Sequence, residues 1–137
     1  MAPAAVSRVD LSKSYGDGVP FGDPNWYRAY NSPYYKETHL AFRAKVREFV
    51  DKEITPFCRQ WDDAKRLPRE LFEKAYRAGL LPGVVGPWPT EFAGPGPKDY
   101  DYFHELILID EICRCGSGGV VWGLVEGLQI GFPPILN

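Results

Sequence analysis

Residues 102–134 read YFHELILIDEICRCGSGGVVWGLVEGLQIGFPP, and the fold turns on them. Phe103, Leu106, Ile107, Ile109 and Cys113 recur at helical spacing. Gly116, Gly118 and Gly119 then interrupt the pattern, as a turn does. Val121, Leu124, Val125 and Leu128 resume it, and Pro133 and Pro134 stop it. The spacing predicts two helices joined by a small-residue turn. The second is apolar nearly all round, so it is expected to be buried between other elements. A chain of 137 residues offers few elements to bury it.

Upstream, the same reading gives two more helices. One is expected from about Ser32–Tyr35 to Thr55, with Ser32 as cap and Pro33 in its first turn. Leu40, Phe42, Val46, Phe49, Val50 and Ile54 form its apolar stripe, with Arg43 and Arg47 largely off it. Trp61, Asp62 and Asp63 are expected in the turn after Pro56. The next helix starts near Pro68, with Leu71, Phe72, Ala75 and Tyr76 inward. Gly79 is expected to end it in the left-handed region, with Leu80 as anchor. Residues 81–97 hold five prolines, so an irregular loop packed by Val84, Val85, Trp88 and Phe92 is expected. Asp99 is the expected cap of the helix that follows. Residues 1–35 are rich in Gly, Pro and aromatics and read as an extended or partly disordered arm before a domain at 36–137. The fold class is all-α.

Composition narrows the function. Apolar residues make up 45% of the chain, which is globular rather than disordered. A net charge of −2 gives no electrostatic reason to expect nucleic acid or an anionic membrane as partner. Three cysteines and no secretion signal favour a reducing, intracellular compartment, with cytoplasm, mitochondrion and peroxisome not distinguished. Residues 118–136 are long enough to span a bilayer, but Glu126 lies inside, at about 2.5–3.5 kcal/mol for a mid-span carboxylate. A buried helix is the reading kept.

Few residues carry chemistry by spacing. Cys113 and Cys115 have no second cysteine pair, so no zinc site is expected. Asp101 and His104 stand at i and i+3, but His39 lacks the matching carboxylate that a di-iron site needs, and His104 reads as an ordinary surface or interface residue. Glu105, Asp110 and Glu111 read as solvated or paired with Lys or Arg. Glu126, on an apolar helix, has either a specific role or a solvent-facing edge. The glycines at 94–96 and 116–119 follow no predicted strand, which rules out phosphate-loop readings.

Four pieces, in order, resemble the N-terminal helical domain of flavin-dependent acyl-CoA dehydrogenases: FRAKVREFVDKEITP (42–56), PRELFEKAYRAGLL (68–81), LILIDEICRCGSG (106–118) and VEGLQIGFPPI (125–135). The resemblance runs from about Lys36 to Asn137. Residues 92–97 read FAGPGP where the family often has Gly-Gly-x-Gly. The resemblance implies an FAD-dependent α,β-dehydrogenation of an acyl-CoA thioester, in a homodimer or homotetramer with an unspecified electron acceptor. It also implies that a β domain and a C-terminal helical bundle, outside these residues, supply most flavin contacts and the catalytic glutamate. No catalytic residue and no metal are therefore expected in this chain, nor is FAD expected to be retained by it alone. Its share is one wall of the acyl pocket. The family's Glu-Gly and Pro-Ile fall on Glu126-Gly127 and Pro134-Ile135, which puts Trp122 and Glu126 in that wall. A slip of one puts Val121 and Val125 there. The alternatives are a non-catalytic helical interaction module, and a fold relative acting in nitroalkane oxidation or alkylation defence.

Overall fold

The computed structural model describes residues 24–30, 32–85 and 87–136. Among them there are helices and no strand. The chain divides between Tyr35 and Lys36 into two units. In the first, within the arm expected to be extended, Asn25–Arg28 is one turn of 3-10 helix. Trp26 stacks on Tyr35 with centroids 4.2 Å apart. Residues 1–23 of that arm lie outside the described residues.

The second unit starts with α1, Glu37–Phe49. It runs without a break into a wider π turn, Val50–Ile54. The helix begins later than Ser32, because Lys36 is the residue in extended conformation at its N-cap. The His39 ring takes the Lys36 N–H at 2.8 Å, the job that a glutamate does in a capping box. Ser32 Oγ instead accepts the Tyr34 N–H. Next comes α2, Cys58–Ala64, where only a turn was expected around Trp61. It closes at Lys65 in the left-handed region, φ 54°. Then α3, Arg69–Arg77, has Pro68 as N-cap. Gly79 follows at φ 68° with Leu80 buried behind it, as the sequence pattern requires.

The Pro/Gly-rich loop holds two single turns, a 3-10 turn at Pro82–Val85 and α4 at Thr90–Ala93. Val84 is buried there, but Phe92 is 78% exposed and packs no loop. The helix α5, Tyr102–Cys113, is capped by Asp101, whose carboxylate accepts the Phe103 and His104 N–H groups. Asp99, the expected cap, sits at φ 57°, two residues before the true one. Ser117 caps α6, Gly118–Val121, by accepting the Val120 N–H at 3.1 Å. A ten-residue π segment, Trp122–Gly131, continues it, and α7 spans Pro133–Leu136.

The core forms where α1 lies along α5. Phe42, Val46, Val50 and Ile54 come from one side, and Ile107, Leu108 and Ile112 from the other. Leu71, Ala75, Leu80, Val84, Val120 and Leu124 close it. The buried face of α5 is 104, 107, 108, 111, 112, not the expected stripe, and Leu106 is 54% exposed. Tyr76 also points away from the core, although it was read as inward. The α6 helix and its π extension are buried on one side only, since Trp122 and Ile130 are exposed. No helix among the described residues is long and apolar enough to cross a membrane.

Candidate functional site

Two buried polar centres and one open apolar face stand out. The first centre joins the N-termini of α1 and α5. His39 and His104, both essentially without exposure, converge on Asp101. His104 is thus no surface residue. It lies between Tyr100, stacked at 5.0 Å, and the His39 ring at 4.0 Å.

Proton positions decide what this triad can do. His39 Nδ1 accepts the Lys36 N–H, so in the neutral ring Nε2 carries the proton and donates it to Asp101 Oδ1 at 2.8 Å. His104 Nδ1 is 3.2 Å from the Asp101 N–H and 3.0 Å from Oδ1. Without a proton it accepts from the backbone; with one it donates to the carboxylate. A metal would need the His39 Nε2 lone pair, which this tautomer does not offer. Ligation would move the proton to Nδ1 and break the cap of α1. The arrangement is a pair of interlocked helix caps. Its signal was present in the sequence as K-E-T-H (36–39) and D-Y-F-H (101–104), each with His three residues after the cap.

The triad makes folding pH-dependent. Burial pushes His104 below its usual 6.5, more than Asp101 pulls it up. Burial pushes Asp101 up, but hydrogen bonds from His39 and His104 outweigh this and hold it at about 2, below its usual 3.8. Both folded values lie below the unfolded ones, so the unfolded chain binds these protons first on acidification. The His104 contribution is complete above pH 6.5 and falls away below it. The Asp101 contribution is complete above 3.8 and is lost towards 2. The melting temperature is expected to fall as pH drops from 7 to 5, then again below 4. His104→Gln is expected to flatten the first fall. A wild-type melting temperature constant between pH 7 and 5 would contradict this.

The second centre is Glu111, with no exposed surface. Arg47 grips it with two hydrogen bonds, 2.8 Å from Nε and 3.0 Å from Nη2. Arg43 and Arg114 stand at 3.3 and 3.6 Å. Glu111 is therefore paired, and Arg43 lies in the α1–α5 seam instead of off the stripe. Held by arginines of both helices, this carboxylate clamps α1 to α5.

The open face carries two of the four residues singled out for the pocket wall, Trp122 and Glu126. Trp122 is 68% exposed and Glu126 partly exposed. Val121 and Val125 are buried in the unit's own core. Gln129 ties the same segment to α5 through Glu105 Oε1. Nearby, Leu128 and Phe132 join Tyr76, Leu81, Pro89 and Phe92 around an apolar groove of about 410 Å³. Cys58, Cys113 and Cys115 are free thiols, with Cys58 Sγ donating to Thr55 and Cys115 carbonyls.

Over residues 36–137 the chain matches the family described as acyl-CoA dehydrogenase, N-terminal domain. It is 36% identical over 135 residues to an acyl-CoA dehydrogenase of Alternaria alternata, covering 93% of this chain and 31% of that protein. It is 31% identical over 129 residues to an acyl-CoA dehydrogenase of Emericella nidulans, covering 87% and 30%. With the mitochondrial short-chain specific acyl-CoA dehydrogenase of Bos taurus it shares 34% over 119 residues, covering 86% and 27%. The chain spans about a third of the length of these relatives. No solved structure matches it. A helical unit of the matched extent, with its core along α1 and α5 and one apolar side left open, belongs to the acyl-CoA dehydrogenase family as an N-terminal domain.

Proposed function

We propose that this domain forms one wall of the acyl pocket in an intracellular, FAD-dependent enzyme that dehydrogenates an acyl-CoA thioester between its α and β carbons. The observation that carries the reading is the two-sidedness of residues 118–131. Val121, Leu124 and Val125 close the core, while Trp122 and Glu126 face outward. Only outward residues can line a cavity completed by other parts of an enzyme, which favours Trp122 and Glu126 over Val121 and Val125. Neither the N-termini of α1 and α5 nor the groove beside Phe92 is offered as a flavin site. The helix N-termini of α1 and α5 are filled by their own caps, and the groove beside Phe92 offers only apolar surface. None of the carboxylates described above is assigned as the base.

Trp122 is bulky, and in the wall it shortens the cavity. Relatives named short-chain specific support a short acyl group. In the enzyme that carries this domain, Trp122→Ala is expected to extend the accepted chain. Each methylene that gains burial is worth about 0.8 kcal/mol, so the preference shifts several-fold per carbon. Rates across straight acyl-CoA substrates of increasing length test it. An unchanged length profile removes Trp122 from the pocket.

A further inference from the structure

A second cavity, about 650 Å³, opens between α2 and α6 and shares no lining residue with the apolar groove. That volume lies in the range of small-molecule sites, roughly 300–1,000 Å³. Its walls are chemically mixed. Trp61 forms one side and is braced from behind by Phe57, stacked at 5.7 Å. Asp62 forms another, and its Oδ1 accepts the Ser117 hydroxyl at 2.7 Å, which fixes the carboxylate. Lys65 and Arg66 stand exposed on the rim. Arg59 and Arg69 on either side each pair with a carboxylate, Asp63 and Glu73; Arg66 and Lys65 pair with none among the described residues.

The floor is kept low by glycine. A Cβ on Gly119 would fall 2.8 Å from Asp62 Oδ1, and one on Gly123 would fall 2.6 Å from Leu67 Cδ1. Side chains at either position would collide with the walls and fill the space. The cavity thus presents a flat aromatic wall, a fixed acceptor and two cations that form no ion pair among the described residues. An apolar ligand leaves the charges unanswered. A bare anion leaves the indole unused and meets the Asp62 charge.

We propose that this cavity binds a nucleoside phosphate. The base lies against Trp61, since every base has a face that stacks on an indole. Sugar hydroxyls or an exocyclic amine donate to Asp62. The phosphate meets Arg66 and Lys65, whose donors match its oxygens. The same chemistry is found in a free nucleotide and in the nucleotide end of a larger cofactor or thioester carrier. The proposal shares no residue with the acyl wall and stands whether or not that reading holds.

Calorimetric titration of the 137-residue chain with ADP, adenosine and inorganic phosphate tests it. ADP is expected to bind once per chain, with adenosine and phosphate each at least tenfold weaker. The ADP affinity is expected to fall as salt is raised. Lys65→Glu with Arg66→Glu is expected to weaken ADP at least tenfold. Both residues are exposed, so the core is untouched. Trp61→Leu is expected to weaken ADP about tenfold, and Trp61→Phe to keep most of the affinity. Arg59→Glu serves as the control and should change little. Competition by coenzyme A or FAD upholds the class and identifies the larger molecule as source; failure to compete upholds it with the free nucleotide as source. No ADP binding, phosphate binding as tightly as ADP, or full ADP affinity in the double charge reversal would overturn the proposal.

Discussion

Glu111→Ala is expected to cost the domain about 3–5 kcal/mol, the usual loss when one partner of a buried ion pair is removed. Domains of this size have only about 5–15 kcal/mol to lose. The carboxylate has no exposed surface, and Arg43 beside it is nearly as deep. Removing Glu111 takes away the carboxylate that Arg43 and Arg47 face in this seam. The Arg43 side chain, 9% exposed, cannot be rehydrated without opening α1 from α5, whereas that of Arg47 is already 18% exposed. Glu111→Gln keeps the shape and one acceptor, so a smaller loss is expected, with the charge still missing. Urea unfolding of the three proteins measures the series. A loss under about 1 kcal/mol for alanine would show that the arginines swing out freely and that Glu111 is no clamp.

The same residue explains where sequence reading fell short. On α5 the periodicity was sound but its phase was wrong. A stripe drawn through apolar residues only runs 103, 106, 107, 109, 113. The true inner face runs 104, 107, 108, 111, 112 and includes a histidine and a glutamate. Apolar counting cannot find a face that satisfies buried polar groups internally, because the partners, Asp101 and the arginines of α1, lie up to 64 residues apart in the chain. Helix starts were misplaced for a related reason. Ser32 and Asp99 look like better caps than Lys36, yet each true start is marked by a histidine in the third position. Features fixed by local chemistry were legible: Gly79 at positive φ, Leu80 behind it, and the small-residue turn at Gly116. Trp122, Glu126, Val121 and Val125 could be set on the helix from the family resemblance, but the burial of Val121 and Val125 was not legible there.

Gly83→Ala is the other substitution expected to do large damage, and for a reason no periodicity reveals. The residue is buried in the 3-10 turn at Pro82–Val85. An added Cβ would run into the Tyr100 hydroxyl and lie 2.5 Å from Cζ. The tyrosine cannot step aside cheaply. Its ring stacks on His104 at 5.0 Å and meets Trp88 and Phe42 edge-on at 5.2 and 6.1 Å. Moving it therefore disturbs the partner of the interlocked caps. Overpacking of this kind costs about 1–3 kcal/mol. Tyr100→Phe alone is expected to be nearly neutral, because the buried hydroxyl has no hydrogen-bond partner among the described residues and its loss removes an unmet demand. It relieves the clash only in part, since the ring carbon stays. Tyr100→Ala is costly by itself, but it opens the space that the new methyl group needs. Gly83→Ala with Tyr100→Ala is thus expected to cost less than the sum of the two single changes, with a coupling of about 0.5–3 kcal/mol. Urea midpoints for the wild type, both single variants and the double variant close the cycle. Additive losses would mean that Tyr100 does not press on Gly83 in solution, and that the 3-10 turn tolerates a side chain there.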